Sequence, residues 1–136
     1  MSNRRELLAL MSAAMLPLGA NAAPSIPDAV LEPEKGKLTQ EPFGDLRVYF
    51  DGSTDQLKSL VAGSLKLKAG MTPHEPHQHP EEEIMLITEG SGEISINGKL
   101  SKCAAGSMMY CAGGQLHGIV NTGKTPLTFF YFKWRK

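Results

Sequence analysis

The sequence predicts an all-β fold, a closed barrel or a double-sheet structure, entered through an extended N-terminal arm. Three observations carry this. Short apolar runs recur along the chain and are punctuated by Gly, Asn, Asp and Pro, as strands and tight turns require. Asn97-Gly98 separates Glu93-Ile94-Ser95-Ile96 from Lys99-Leu100-Ser101, a strong two-residue hairpin signal because both turn residues tolerate positive φ. Beyond residue 22 helical periodicity is nearly absent, residues 54–60 being the one stretch that invites a helical reading.

In chain order, residues 1–22 read as a secretory signal peptide. Arg4 and Arg5 supply a charged start, residues 7–18 an apolar stretch too short to span a membrane, and Ala20-Asn21-Ala22 a small-x-small cleavage site. Paired arginines ahead of two leucines resemble a twin-arginine export signal, with general secretion or a retained anchor as the other readings. Export makes the chain periplasmic or secreted. Residues 23–44 carry Pro24, Pro27, Pro33 and Pro42 with little periodicity and read as an extended arm suited to wrapping or swapping. Residues 45–136 form the barrel domain. Its strands are expected at 46–51, closed by Asp51-Gly52; 61–68, running into Gly70; 83–88, ahead of Gly90; the hairpin 93–96 and 99–101; 107–111, ahead of Gly113-Gly114; 117–120; and 127–134, after Pro126.

Charge excludes several classes of partner. Loss of residues 1–22 would leave twelve basic and thirteen acidic residues, with no basic stripe for nucleic acid and no polybasic membrane patch. Cys103 and Cys111 would meet an oxidising compartment and could pair, or could be two small buried apolar residues on neighbouring strands.

Four residues form a set of metal ligands. One residue separates His77 from His79, so an extended backbone projects both imidazoles from one face, and Glu83, four residues on, returns a carboxylate to it. His117 heads a later strand and can enter from the opposite wall. Three imidazoles and a carboxylate suit Mn, Fe, Ni, Cu, Co or Zn and leave positions open on an octahedral ion.

These residues resemble a known family. Gly70, His77, His79, Glu83 and Gly90 resemble the first cupin motif, and Gly106, Gly114, His117 and Asn121 the second, with fifteen residues between Gly90 and Gly106. Two departures stand out: six residues rather than five separate Gly70 from His77, and Ala112 replaces a proline. The resemblance covers roughly residues 45–134 and implies a conical jelly-roll barrel holding a divalent metal on His77, His79, Glu83 and His117. It leaves the reaction open, because cupins include dioxygenases, isomerases, lyases and binding proteins.

Around this set, His74 is a candidate proton shuttle or an exposed loop residue, and Tyr110 a hydrogen-bond donor to an oxyanion or a packing residue. Glu81 and Glu82, beside the ligands, read as solvated, with a base acting next to the ligand set as the alternative. Met85 and Ile87 face inward with Glu83, Met108, Met109 and Ile119 extend the apolar wall, and Phe130, Phe132 and Trp134 alternate on the last strand. Only Lys99 and Lys102 bring positive charge near the motifs, which disfavours a highly charged phosphate substrate. The expectation is an exported enzyme with a divalent transition metal, acting on a small neutral or monocarboxylate molecule by dioxygenase or Lewis-acid isomerase or lyase chemistry. A non-catalytic metal- or ligand-binding module is the alternative. Exposed barrel strands and the arm suit a homodimer.

Overall fold

The computed structural model describes residues 24–136; the expected signal peptide lies outside the described residues. The fold is all-β. Nine strands run in chain order: β1 Lys37–Glu41, β2 Gly44–Gly52, β3 Ser59–Leu67, β4 Glu82–Glu89, β5 Ser91–Ile96, β6 Lys99–Ala104, β7 Met108–Cys111, β8 His117–Val120 and β9 Leu127–Arg135. They build two antiparallel sheets, a six-stranded one in the order β1-β2-β3-β9-β4-β7 and a three-stranded one in the order β6-β5-β8.

Alternation along the strands puts one apolar side between the sheets. Leu65 and Leu67 of β3, Met85 and Ile87 of β4 and Phe129 of β9 meet Ile94 and Ile119 from the smaller sheet, each at most 6 % exposed. Met85, Ile87, Met109 and Ile119 are inward as expected, whereas Met108 is exposed. On β9 the expected parity is reversed. Leu127, Phe129 and Tyr131 are buried, while Phe130, Phe132 and Trp134 face outward, Phe130 against Tyr49 and Trp134 donating its indole N–H to Glu82. The run Leu127-Thr128-Phe129-Phe130-Tyr131-Phe132 is apolar on both parities, so hydropathy cannot choose the face; pairing with β3 and β4 does.

The Asn97-Gly98 turn forms as expected, with φ of 50° and 82° joining β5 to β6. Residues 54–60 contain no helix. The Thr54 hydroxyl accepts from the Gln56 and Leu57 amides as a helix cap would, but the chain enters β3 at Ser59, where pairing with β2 and β9 outweighs so short a helical start. Within the expected arm, Lys37–Glu41 is β1, almost fully exposed and paired to β2 alone. Without a buried face it shows no apolar alternation, so its strand was illegible. Further upstream, Ser25 is tied to Ser53 and the Pro33 carbonyl accepts from Arg47.

The motif glycines have a physical reason. Gly70, Gly90, Gly106 and Gly114 all adopt positive φ, and at Gly90 a Cβ would also strike the Pro126 carbonyl. Asn121 is fully buried. Its amide donates to the carbonyls of Leu67 (3.0 Å) and Thr125 (2.9 Å), and its oxygen accepts from the Gly123 amide (2.9 Å), which ties the exit of β8 to β3 and to the turn before β9. Cys103 and Cys111 are buried free thiols on β6 and β7, raised above their ordinary value by burial.

Candidate metal centre

His77 and His79 lie in an extended loop before β4, and the loop is held by backbone. The amides and carbonyls of His77 and His117 exchange hydrogen bonds of 2.9 and 3.0 Å, and the His79 carbonyl accepts from Gly114 at 2.8 Å. The three imidazoles therefore converge although they come from two separated stretches. Their ring centroids are 4.7–5.1 Å apart, and one nitrogen from each lies within 4.8 Å of the others.

Hydrogen bonds at the far nitrogens orient two of the rings. His79 Nδ1 faces the Glu81 carbonyl at 3.1 Å and His117 Nδ1 the Gln115 carbonyl at 2.9 Å, so each Nδ1 carries the proton in the geometry that turns Nε2 inward. Glu83, at the start of β4 and 5 % exposed, points its carboxylate into the same space. Its Oε2 is 2.8 Å from His117 Nε2 and 3.5 Å from His79 Nε2. The second separation is not a hydrogen bond: His79 Nε2 is buried with no hydrogen-bond partner. With Nδ1 protonated, its lone pair faces a carboxylate oxygen, two acceptors with no proton between them. A cation satisfies both, so this donor set fits a metal ion.

The protonation pattern is consistent with that. Burial, followed by the neighbouring histidines, draws His77 down from 6.5 to about 4, so it is neutral and available as a ligand. Burial pushes Glu83 up, but the hydrogen bond and charge of His117, with the charges of His79 and Lys133, hold it below its ordinary value. His117 is raised, chiefly by its hydrogen bond to Glu83.

The cluster stands at one wall of a cavity of about 230 Å³. Apolar side chains of Phe43, Leu46, Leu65, Met85 and Phe129 form most of the rest, with Pro73 and His74 also lining it. His74 stacks on His77 with ring centroids 3.7 Å apart, and its Nδ1 lies 2.7 Å from the Glu75 carbonyl. Of the two expected catalytic residues, His74 is an exposed loop residue that lines the cavity, and Tyr110 does not reach it. On β7 the parity that buries Met109 and Cys111 turns Tyr110 outward, 55 % exposed, with its hydroxyl on Glu82. The Tyr110–Glu82–Trp134 contacts belong to the outer face of the sheet.

Two polar residues in the cavity, Tyr131 and Lys133, escaped sequence reasoning. Both follow from the inward parity of β9, since Lys133 pairs directly with Glu83 and Tyr131 with Met85. The Tyr131 hydroxyl lies over Gly63 of β3, where a Cβ would sit 2.6 Å from it, so the glycine makes room for the phenol. Burial, then the carboxylates of Glu83 and Asp51, keep that phenol protonated. Lys133 corrects the expectation that the site lacks positive charge. The signal that could have found both is the alternation Phe129, Tyr131, Lys133 once its parity is known.

Residues 64–132, half of the chain, match the family model for the cupin domain. This chain belongs to the cupin family. Among curated proteins, the cupin is 30 % identical over 95 residues to dimethylsulfoniopropionate lyase DddW of Ruegeria pomeroyi, a match covering 68 % of this chain. It spans only 61 % of that relative's length. Among solved structures it is similar to an RmlC-like cupin from Shewanella frigidimarina, with a TM-score of 0.67 and 15 % identity over 81 % of this chain and 93 % of that one. It is also similar to a predicted oxalate decarboxylase from Thermotoga maritima, with a TM-score of 0.65 and 23 % identity over 79 % of this chain and all of that one. At such identities these structures speak for the fold alone.

Proposed function

We propose that this cupin is an exported, metal-dependent lyase that acts on a small organic molecule. His77, His79, His117 and Glu83 hold the ion. The observation that carries the reading is the buried, unpartnered Nε2 of His79 facing the Glu83 carboxylate beside a largely apolar cavity. A bound divalent ion supplies Lewis acidity, polarising an oxygen of the substrate and acidifying the adjacent C–H.

The chain's own groups then divide the proton work. His74 donates Nδ1–H to the Glu75 carbonyl, which leaves the Nε2 lone pair free to remove a proton at the cavity. The bond to the leaving group breaks as the new double bond forms, and the leaving group departs with the electron pair. Tyr131, kept protonated, donates a hydrogen bond to oxygen as negative charge develops there. The apolar wall limits water beside the reacting carbon and favours elimination over hydrolysis, while His74 stands at the exposed mouth. The lyase named among the similar proteins supports this branch of cupin chemistry over the oxygenase branch. The leader-like start of the chain supports export, and the exposed edge of β1 supports a two-fold pair.

Elemental analysis of protein purified without chelator, combined with anaerobic turnover of small molecules carrying a leaving group β to a carbonyl or carboxyl carbon, tests the reading. Stoichiometric metal is expected in wild type and is lost in His79→Ala and Glu83→Ala. His74→Ala retains the metal while kcat falls about 10²-fold. Wild type that holds no metal, or turnover that consumes oxygen, would count against it.

A further inference from the structure

Lys133 has no evident task in holding the ion, yet the fold brings it to the reacting space. Among the described residues it is the only lysine or arginine lining the cavity. Opposite Glu83 across β4 and β9, it forms no ion pair with that carboxylate among the described residues, because Glu83 is taken by His117 at 2.8 Å and lies near His79. The ammonium instead sits 5.6 Å from the centroid of the Tyr131 ring. Glu83 feels this charge across the strand pair, but a carboxylate taken up by His117 and the ion does not also neutralise it, so the half-buried cation beside apolar walls calls for a further counter-anion.

Charge counting sharpens this. With a divalent ion bound, Glu83 offsets one of its two charges, the three imidazoles are neutral ligands, and Lys133 adds another positive charge, so the cavity carries a net excess of positive charge. A single ammonium matches a monoanion and not a phosphate, which ordinarily draws several donors. The volume of about 230 Å³ lies below the roughly 300–1,000 Å³ of drug-sized ligand sites and admits only a short molecule. Leu46, Met85 and Phe129 face that molecule's carbon chain.

We infer that Lys133 is the carboxylate anchor of the site and that the ligand is a short aliphatic monocarboxylate. The inference rests on the cavity being the substrate pocket of the proposed lyase. Tyr131 positions Lys133 by placing its π face under the ammonium, and the anchored carboxylate sets which carbon faces His74.

Binding distinguishes this from the metal reading without any turnover. Propanoate and its neutral counterpart propanamide are titrated calorimetrically at low salt into zinc-loaded protein and into metal-free protein, with zinc content measured on the same samples. Lys133→Met is expected to weaken propanoate binding at least about tenfold, Lys133→Arg to preserve it within about threefold, and propanamide to bind weakly and equally to all three. Zinc content should be unchanged in both variants, which also shows that they are folded. Propanoate binding that is undetectable in wild type, or equal in wild type and Lys133→Met, would overturn the anchor while leaving a metal-loaded enzyme standing. Lys133-dependent propanoate binding by a protein that takes up no zinc would uphold the anchor and sink the metal-dependent reading.

Discussion

Protons and the proposed metal would compete for the same nitrogens, and the individual histidines set the terms. His117 keeps its proton above the ordinary 6.5 because Glu83 accepts it, and that proton must leave before Nε2 can ligate. His77, drawn to about 4, adds no second proton until the solution is far more acidic. We therefore expect the apparent zinc affinity to rise at least about tenfold per pH unit through the weakly acid range and to level off above the folded value of His117. Competition with a coloured chelator across pH measures that slope, and a slope of two would show that a second imidazole besides His117 also has to be deprotonated. The same pair shapes the stability of the metal-free protein. His117, raised, contributes fully below its ordinary 6.5 and loses that contribution as pH climbs through its folded value; Glu83, lowered, contributes above its ordinary 4.5 and loses it as pH falls through its folded value. The benefit is complete between 4.5 and 6.5, while His77, lowered, works against folding as pH drops from 6.5 toward 4. His77, His79, Glu83 and His117 were legible in sequence because their spacing is local or motif-bound. Tyr131 and Lys133 were not, since an all-apolar neighbourhood hides the face they occupy.

Among the elements, β8 and the turn after it show how much rests on one side chain. Asn121 satisfies two carbonyls and one amide in a fully buried position, and Asn121→Ala would leave all three unpaired. A loss of about 3–5 kcal/mol is expected, read as a lower urea midpoint with an unchanged m-value. Gly90→Ala should also destabilise, by about 1–3 kcal/mol, because its positive φ and the Pro126 carbonyl both oppose a methyl group. The hairpin at Asn97-Gly98 was readable because turn chemistry is local. β1 was not, because a strand held only by backbone pairing at an exposed edge has no hydrophobic pattern to read.

For the whole molecule, the histidine cluster works as a clasp. It joins the loop before β4, β4 itself and β8, and so links the six-stranded sheet to the three-stranded one at one end of the barrel. A metal held there would stabilise the native state by mass action, about 2.7 kcal/mol at a hundredfold excess over Kd. For a domain of this size that corresponds to a rise in Tm of roughly 10 °C. Chelation should reverse the rise in wild type and have no effect on His79→Ala, as scanning calorimetry would show; equal sensitivity in both would place the stabilising ion elsewhere.

By itself the sequence determined the strands of residues 45–136, the hairpin and the four candidate ligands, because alternation, turn dihedrals and ligand spacing are short-range properties. Only the tertiary structure decided which face of β9 enters the barrel, that Tyr110 belongs to the outer surface, and that Lys133 stands opposite Glu83. Those outcomes depend on the register between strands distant in sequence, and a shift of one residue would exchange the inner and outer faces.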